Sequence, residues 1–266
     1  MIKLLVSDLD GTLLPFDKKV TEKDISALER AKKSGIDICF ASGRMDIEIN
    51  EVLKSINEKF HRISQNGAFI STNQDVQLLA TTFESELAKQ IFNEVRSLEF
   101  ITLVCSYDTN FTEQKNEHVL NIEKRMFHPI TESPFLLDEI PTIKPSKITV
   151  LGEEKAIIQF QQRLLSQYPN QIDTYISEKQ CLDIMPKNIS KGNAVTALIN
   201  QLGYEPSEVA TIGDSYNDIP MFRLTENSFV MSHSHKDVQK EAMHVVNSVS
   251  DAIDIILEKN RQLSKK

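Results

Sequence analysis

An apolar run that ends in two closely spaced carboxylates constrains this chain more than any other feature. Residues 2–6 are apolar except for one lysine, which is long enough for a buried strand. Asp8 and Asp10 follow, separated by Leu9. In extended backbone, positions i and i+2 point to the same side, so both carboxylates would face one site. Gly11 then permits a sharp exit with backbone amides close to whatever the acids hold.

This arrangement suits phosphoryl transfer through an aspartyl intermediate. One carboxylate can attack phosphorus as a nucleophile, and the neighbouring acid can move the proton. The alternative is a polar turn, because Asp and Gly are common turn residues. A buried strand that ends in Asp-x-Asp-Gly-Thr, with Thr12 as the last residue, is far more specific than an Asp-Gly pair.

Length and charge limit the possible classes of protein. A chain of 266 residues predicts two domains, or one domain with a large insertion. The net charge of -8 argues against a nucleic-acid surface, which needs clustered lysine and arginine. An anionic substrate would therefore need positive charge from a few residues or from a metal ion.

The cysteines and the hydropathy pattern predict a protein of a reducing compartment. Cys39, Cys105 and Cys181 are far apart and lie in apolar runs, so we interpret them as buried thiols. No leader precedes the first predicted strand, and no run approaches the ~20 apolar residues of a membrane span. We expect a cytoplasmic location and no membrane partner.

The next stretch predicts a parallel, right-handed strand-helix-strand unit. Residues 21–35 have the pattern of a helix with Thr21 as its N-cap, and residues 36–41 form a second apolar strand. The strand ends in Ser42 and Gly43, whose hydroxyl and amide could bind phosphate oxygens. A simple Ser-Gly turn is the alternative.

Arg44 has two interpretations. It could bind an anionic substrate, or it could pair with Asp46 or Glu48 at the surface, and the sequence slightly favours the pairing. Residues 64–68, Ser-Gln-Asn-Gly-Ala, predict a turn, and a hairpin is expected around residues 71–75.

The middle of the chain predicts an inserted α+β segment with its own strands and helices. We expect helices at 84–98 and 153–168, strands at 100–106, 147–151, 172–177 and 181–185, and an irregular polar region between 106 and 147. Five side chains of this segment are candidates for substrate selection by their charge alone, but exposure at the surface is the more typical use: Lys115, His118, Arg125, His128 and Lys179. Met126, Phe127 and Phe135 could line a pocket, but we expect them to pack in a core.

Lys191 stands at an unusual place for a lysine. Ser190 is a good N-cap for a helix that runs to about residue 202, which puts Lys191 in the first turn. The helix macrodipole disfavours a cation there unless an anion binds at the same point. A tolerated surface lysine and an anion ligand are both open.

A third apolar strand, residues 209–212, is followed by Asp214, Asn217 and Asp218. Open parallel sheets bind ligands beyond the carboxyl ends of their strands, so three strands that end in acid or hydroxyl residues predict one site. Further on, His233 and His235 could form a metal pair, but alternate histidines in a polar loop are more typical of local hydrogen bonding. Residues 259–266 predict a frayed end.

In this order, the motifs resemble the four signatures of the haloacid dehalogenase superfamily, and the Asn-Gly-Ala at 66–68 resembles its Cof-type phosphatases. The resemblance covers essentially the whole chain. It implies an α/β fold, with a doubly wound Rossmann-like parallel-sheet core in residues 1–83 and 187–266. It also implies an inserted type IIB cap of α+β fold, residues 84–186, that selects the substrate. Ser232-His233-Ser234 departs from the Gly-Asn-Ala of many Cof-type chains.

The resemblance implies a phosphatase that hydrolyses small phosphate monoesters, such as sugar phosphates, with Mg²⁺ as cofactor. Asp8 would attack phosphorus, and Asp10 would protonate the leaving oxygen and then activate water. Asp8 and Asp214 would bind Mg²⁺ through carboxylates and Asp10 through its backbone carbonyl. The expected phosphate-binding residues are Leu9, Ser42, Gly43, Lys191 and Asn217, with Thr12 and Asp218 in supporting roles.

Three alternatives remain for the function. A phosphomutase of the same superfamily would use the same aspartate, and a regulatory domain would keep a stable aspartyl-phosphate. A non-catalytic sugar-phosphate binder is the third. Asp10 argues against the regulatory domain, because a second carboxylate can activate water. The expected partner is a small phosphorylated metabolite.

Overall fold

The computed structural model describes residues 1–14, 19–56, 58–124, 126, 128–178 and 180–265. The chain forms two compact units. The first comprises Met1–Arg44, Val52–Leu79 and Ser190–Lys266, and the second comprises Met45–Glu51 and Ala80–Ile189. The domain boundaries expected from the sequence, after residues 83 and 186, remain a prediction.

The strands are β1 (Leu4–Ser7), β2 (Asp37–Ala41), β3 (His61–Ser64), β4 (Phe69–Ser71), β5 (Gln77–Ala80), β6 (Ile101–Cys105), β7 (Asn110–Thr112), β8 (Thr131–Glu132), β9 (Lys147–Leu151), β10 (Ile172–Glu178), β11 (Cys181–Pro186), β12 (Val209–Gly213), β13 (Ser228–Met231) and β14 (His244–Val246). The helices are α1 (Glu22–Lys33), α2 (Asp46–Leu53), α3 (Ser85–Arg96), α4 (Glu117–Glu123), α5 (Leu136–Ile143), α6 (Glu154–Gln167), α7 (Lys191–Leu202), α8 (Ile219–Phe222), α9 (Lys236–Gln239) and α10 (Val249–Leu263). In the described part of the chain, no helix has the length and apolar character to span a bilayer.

The first unit is built on an eight-stranded sheet in the order β14-β13-β12-β1-β2-β3-β4-β5. The strands from β14 to β3 pair in parallel, and β4 is antiparallel to β3. Strands β1, β2, β12 and β13 are almost wholly buried, which explains why they read as near-continuous apolar runs. The prediction of an α/β fold with a parallel-sheet core is confirmed.

Helix α1 follows its sequence signals closely. Thr21 caps it, because its hydroxyl accepts a hydrogen bond from the Asp24 amide at 3.1 Å. After the helix ends, Gly35 takes a positive φ of 80°, as expected for the residue that stops a helix. The chain then returns directly to β2.

The second unit is built on a six-stranded sheet in the order β10-β11-β9-β6-β7-β8. One face carries the apolar core, with Val104, Ile148 and Leu182 packed together with residues of α3, α5 and α6. Lys147 of β9 and Asp183 of β11 form a largely buried ion pair, with Nζ 3.5 Å from Oδ1. Burial lowers the pKa of Lys147, but Asp183 opposes this strongly enough that the pKa is raised overall.

Two predictions about secondary structure were wrong. The region between 106 and 147 is not irregular, since it contains β7, α4, β8 and α5. The two strands there have three residues and two residues, too few for a readable alternation. The end of the chain is not frayed from residue 259, because α10 continues to Leu263. Asn260 fixes it there: its Oδ1 accepts from the Ile2 amide and its Nδ2 donates to the Ile2 carbonyl.

Side chains of the inserted segment follow the predictions only in part. Phe135 is 71 % exposed, so the prediction that it packs in a core was wrong. It directly precedes α5, and it is the next residue, Leu136, that is buried. Met126 packs against a small buried cluster. Lys115 is partly buried against Glu123 at 2.9 Å, whereas His118 is exposed and His128 is partly buried. Arg125, Phe127 and Lys179 lie outside the described residues.

The three cysteines are free thiols. Cys39 and Cys105 are buried, as predicted, and Cys181 is partly buried. Burial raises the pKa of the Cys105 thiol to about 11. A thiol with a raised pKa is a poor nucleophile and acts mainly as a small apolar group.

Candidate active site

Polar side chains converge at the carboxyl ends of three adjacent strands. β1 lies between β12 and β2, and Ser7 at its end pairs with Ile212 on one side and Phe40 on the other. Because the three strands are parallel, the loops that follow them meet at one edge of the sheet. The Asp8 amide continues the pairing with β12 by donating to the Ile212 carbonyl at 2.9 Å. These loops carry Asp8, Ser42 and Asp214.

A buried lysine joins two of the acids. Lys191 Nζ lies 2.6 Å from Asp8 Oδ1 and 2.6 Å from Asp218 Oδ1. It is the first residue of α7, which Ser190 caps, and its side chain is 1 % exposed. The two carboxylates supply the negative charge that makes a lysine favourable at a helix N-terminus. An ammonium has three N–H donors, so these two bonds, its only ones within the described chain, leave one donor for a further anion.

Burial and mutual repulsion perturb the acids. Burial raises the pKa of Asp8 well above its usual value; Lys191 opposes the shift, and the charges of Asp218 and Asp214 add to it. Burial also raises the pKa of Asp214, and Asp218 adds to that shift. Burial lowers the pKa of Lys191, but the charges of Asp218 and Asp8 raise it by more than burial lowers it. The pKa of Lys191 therefore lies above its usual value. The ammonium of Lys191 therefore contacts two carboxylates, and its charge also acts on the third, Asp214.

Asp218 organises the loop that carries Asp214. Its Oδ2 accepts hydrogen bonds from the amides of Asp214 and Ser215, both at 2.9 Å. Its Oδ1 contacts Lys191, so both oxygens have partners and the side chain is fully buried. On the other side, Thr12 Oγ1 donates to Asp214 Oδ1 at 3.3 Å. These contacts are compatible with the supporting roles proposed for Thr12 and Asp218.

The acids lie close enough together to share a cation. Asp8, Asp214 and Asp218 each offer one carboxylate oxygen, and these oxygens lie within 4.8 Å of one another. Hard oxygen donors with excess negative charge fit a divalent ion such as Mg²⁺. The sequence expectation named Asp8, Asp214 and the Asp10 carbonyl, and the geometry adds the Asp218 carboxylate to the group.

Gly11 has no room for a side chain. Its φ is 79°, and a Cβ atom built on it would lie 2.4 Å from Asp214 Oδ2. We expect Gly11→Ala to displace Asp214 and to lower kcat/KM for a phosphate ester by about 100-fold, because misplacement of about 1 Å has effects of that order. Steady-state kinetics and thermal unfolding measure the two effects separately.

Gly35→Ala is the matched control for Gly11→Ala. Gly35 has a nearly identical φ of 80°, but nothing lies within 4 Å of a Cβ atom built there. Both variants should lose stability through backbone strain, and only Gly11→Ala should lose activity. Equal activity in the two variants would show that the position of the Asp214 side chain does not depend on the absence of a side chain at Gly11.

Asp10 is held by an arginine that the sequence did not assign to it. Arg44 donates from Nε to Asp10 Oδ2 at 2.7 Å and from Nη2 to Asp10 Oδ1 at 2.6 Å, a bidentate pair. The sequence favoured Asp46 or Glu48 as the partner of Arg44 and missed Asp10. Sequence spacing shows only neighbours along the chain, whereas the pairing of β1 with β2 places the two loops side by side.

The residues expected to bind phosphate present several free donors. Ser42 Oγ accepts from the Arg44 amide at 3.1 Å, which leaves its hydrogen free to donate. Within the described chain, the Leu9 amide donates to no acceptor. Asn217 Nδ2 donates to Asn66 Oδ1 at 3.1 Å, and one further N–H remains on that amide. Asn217 Oδ1 is buried and has no partner among the described residues.

Asn66 is a site residue that the sequence marked only as part of a turn. Besides accepting from Asn217, its carboxamide packs on Gly43, where a built Cβ atom would lie 3.3 Å from Asn66 Oδ1. The available signal was the Asn-Gly pair, since both residues tolerate a left-handed backbone. That signal predicts a turn but not its neighbours.

The two histidines contact different residues. His233 Nε2 lies 4.0 Å from Asp214 Oδ2, and its side chain is 43 % exposed. His235 Nδ1 accepts from the Asp237 amide at 3.3 Å and lies 3.0 Å from the Tyr216 hydroxyl. This local bonding agrees with the interpretation that the sequence favoured.

The raised pKa of Asp8 predicts a stability effect in the absence of metal. A carboxyl whose pKa is higher in the folded state destabilises the fold as pH rises through that pKa, and has no effect below the unfolded pKa of ~3.9. With chelator present and near neutral pH, Asp8→Asn should therefore be more stable than wild type, by about 1 kcal/mol. The difference should vanish at acid pH.

Urea unfolding at both pH values measures this effect, with the exposed Asp254→Asn as control. Added Mg²⁺ should stabilise wild type more than Asp8→Asn, since ligands stabilise the state that binds them. A destabilised Asp8→Asn variant near neutral pH with chelator would contradict the expectation.

The fold and the site together define a class of protein, the Rossmann-like hydrolases whose active site is built around carboxylates. The defining features are the doubly wound parallel sheet, the Asp-x-Asp sequence at the end of a strand, the buried lysine and the second acidic loop. The family model for haloacid dehalogenase-like hydrolases matches residues 5–255, and the chain belongs to this family. The predicted family is confirmed, as is the prediction that the chain is a phosphatase-type enzyme.

Known proteins of similar length align with nearly the whole chain. A "Putative phosphatase" of Buchnera aphidicola is 24% identical over 264 residues, 98% of this chain and 96% of the relative. The HMP-PP phosphatase of Escherichia coli O6:H1 is 23% identical over 245 residues, 92% of this chain and 89% of the relative. A crystal structure from Thermotoga maritima has a TM-score of 0.85 at 24% identity and covers 97% of each chain, which shows the shared fold.

Proposed function

We propose that this chain is a Mg²⁺-dependent phosphatase that hydrolyses small phosphate monoesters, sugar phosphates or similar metabolites, through an aspartyl-phosphate on Asp8. One observation carries the proposal. The Asp8 carboxylate is buried at the end of β1, bound to Lys191 at 2.6 Å and close to Asp214 and Asp218. A desolvated carboxylate with one oxygen fixed by a cation has its other oxygen available for attack.

The reaction has two steps that share the same proton carrier. In the first, an Asp8 oxygen forms a bond to phosphorus, the bond from phosphorus to the leaving oxygen breaks, and Asp10 gives that oxygen a proton. In the second, Asp10 takes a proton from water as the water oxygen bonds to phosphorus. The bond between Asp8 and phosphorus then breaks, which releases phosphate and regenerates the carboxylate.

The acidic cluster of Asp8, Asp214 and Asp218 would hold Mg²⁺, with the Asp10 backbone carbonyl as a further ligand. When bound, Mg²⁺ supplies positive charge that balances the carboxylates and the phosphate oxygens. Phosphate oxygens accept hydrogen bonds, and the donors that would hold them belong to the amides of Leu9 and Gly43 and to the side chains of Ser42, Lys191 and Asn217. Preorganised donors of this kind stabilise charge in the transition state.

Relatives support a small-molecule substrate. Some of them are named HMP-PP phosphatases, so a phosphorylated metabolite is the substrate class that we propose. We assign its selection to the inserted segment, residues 84–186. The free thiols of Cys39 and Cys105 support a reducing, cytoplasmic location.

Release of phosphate from p-nitrophenyl phosphate tests the proposal. Wild type and Asp8→Asn are each assayed with Mg²⁺ and with chelator, and a panel of sugar phosphates follows. Turnover that needs both Asp8 and metal is expected. An isomeric sugar phosphate formed without free phosphate would point to a phosphomutase, and tight binding without turnover would point to a non-catalytic binder.

The bidentate contact between Arg44 and Asp10 predicts a dependence on the leaving group. Arg44→Met should lower kcat by about 10-fold for a sugar phosphate, since a poorly placed general acid loses much of its 10²- to 10⁴-fold contribution. The loss should be smaller for p-nitrophenyl phosphate, whose leaving group needs little protonation. Arg44→Lys should recover little activity, because a lysine cannot form the bidentate pair.

Arg30→Met is the control for Arg44→Met. Arg30 is an exposed arginine that pairs with Asp254 at 2.7 Å, and its removal should leave both rates unchanged. Equal losses for the two substrates in Arg44→Met would show that Arg44 does not act through Asp10.

A further inference from the structure

A buried turn beside the phosphate-binding residues contains three consecutive residues with positive φ. The φ values are 47° at Gln65, 56° at Asn66 and 111° at Gly67. The first two residues are at most 1 % exposed. Non-glycine residues rarely adopt this conformation, and it persists where the surrounding structure determines it. Two such residues in sequence, both buried, call for an explanation beyond a surface turn.

The backbone of this turn is bound to two other segments of the site. The Asn66 amide donates to the Ser42 carbonyl at 2.9 Å, which fixes the turn to the loop after β2. Gly67 lies against the N-cap of α7, where a built Cβ atom would be 2.5 Å from the Ser190 carbonyl oxygen. Lys191 is the next residue of that helix. The turn therefore sits between the Ser42 loop and the lysine.

The side chain of Asn66 contacts two residues that the proposed function assigns to phosphate. Its Oδ1 accepts a hydrogen bond from Asn217 Nδ2 at 3.1 Å. Its carboxamide also packs on Gly43: a Cβ atom built there would lie 3.3 Å from Oδ1 and 3.5 Å from Nδ2. One carboxamide thus fixes the orientation of the Asn217 amide and limits the position of the Gly43 backbone.

We propose that Asn66 is a positioning residue of the phosphate site, an inference that rests on the proposed phosphatase function. It acts through Asn217 and Gly43, and it aims the remaining N–H of Asn217 and the amide of Gly43 at the phosphoryl oxygens. The left-handed backbone carries the Asn66 side chain to this point. Asparagine suits the position because it tolerates that backbone and its carbonyl oxygen accepts without adding negative charge.

The test compares Asn66→Gly, Asn217→Ala and the double variant. Glycine keeps the left-handed backbone without strain and removes only the carboxamide. The measurements are kcat/KM for p-nitrophenyl phosphate with Mg²⁺, the affinity for inorganic phosphate by calorimetry, and thermal unfolding. We expect kcat/KM and phosphate affinity to fall by about 10- to 100-fold in Asn66→Gly, the usual range for groups that orient ligands.

Non-additivity separates positioning from a general structural role. If Asn66 acts mainly through Asn217, then Asn66→Gly should cost only about 2-fold when Asn217→Ala is already present, because coupled residues do not add. Asn170→Gly is the matched control, since Asn170 also has a positive φ of 62° but is exposed in the second unit. It should leave kcat/KM and phosphate affinity unchanged.

Two results count against the inference. Wild-type kcat/KM and phosphate affinity in Asn66→Gly would overturn it as a whole, and a double variant whose losses multiply would overturn the part that acts through Asn217. Failure of the proposed function has a different signature, since wild type itself would then release no phosphate. In that event the calorimetric comparison of wild type with Asn66→Gly still decides whether Asn66 orders the phosphate site.

Discussion

Asp8→Asn should lower kcat for phosphate monoesters by at least ~10⁴-fold, which is the scale of loss when an enzyme's catalytic nucleophile is removed. The amide keeps the shape of the carboxylate but has no anionic oxygen to attack phosphorus. Because Lys191 retains Asp218 as a partner at 2.6 Å, the fold should remain intact. Phosphate release and circular dichroism measure the two effects.

Asp254→Asn is the control for Asp8→Asn, because it removes a carboxylate of the first unit that is 53% exposed and pairs only with Arg30 in the described chain. It should leave kcat unchanged. If Asp8→Asn retained more than about one hundredth of wild-type kcat, a nucleophilic role for Asp8 would be untenable.

Lys191→Met should have the second-largest effect, on activity and stability together. Removal of the ammonium leaves Asp8 and Asp218 buried without their cation, and breaking a buried pair in this way costs about 3–5 kcal/mol. We also expect kcat to fall by ~10³-fold, the upper range for loss of one charge-stabilising donor. Urea unfolding and steady-state kinetics give the two numbers.

A second variant keeps this prediction testable if Lys191→Met fails to fold. Lys191→Met combined with Asp218→Asn removes one negative charge along with the positive one, so it should recover part of the stability but little activity. Lys236→Met, at an exposed helix position, serves as the control. Restored activity in the double variant would show that Lys191 serves the fold and not the chemistry.

Site residues that come directly after a strand could be predicted from the sequence. Buried parallel strands appear in a sequence as continuous apolar runs, and these runs stop at polar residues. Asp8, Ser42 and Asp214 are such residues, and the order of β12, β1 and β2 brings their loops together. The position of Lys191 also followed from a local signal, the Ser190 N-cap.

Contacts between loops could not be predicted in the same way. The pairing of Arg44 with Asp10 depends on which strands are neighbours, and one sequence does not give the strand order directly. Asn66 contacts Asn217 because consecutive residues of its turn adopt positive φ. The sequence predicted a turn there, but not its backbone conformation. In the inserted segment, β7 and β8 are too short for a periodic signal.

The aspartyl-phosphate on Asp8 is the central claim, and trapping it in Asp10→Asn tests it most directly. Asp10→Asn lacks the base that activates water, whereas p-nitrophenyl phosphate can still phosphorylate Asp8 because its leaving group needs little protonation. After a rapid quench, mass spectrometry of the peptide that contains Asp8 should show one added phosphoryl group, matched by a burst of one p-nitrophenol per protein. The Asp8→Asn, Asp10→Asn double variant should show neither. A burst without phosphoryl on Asp8, or phosphoryl on another residue, would contradict the account.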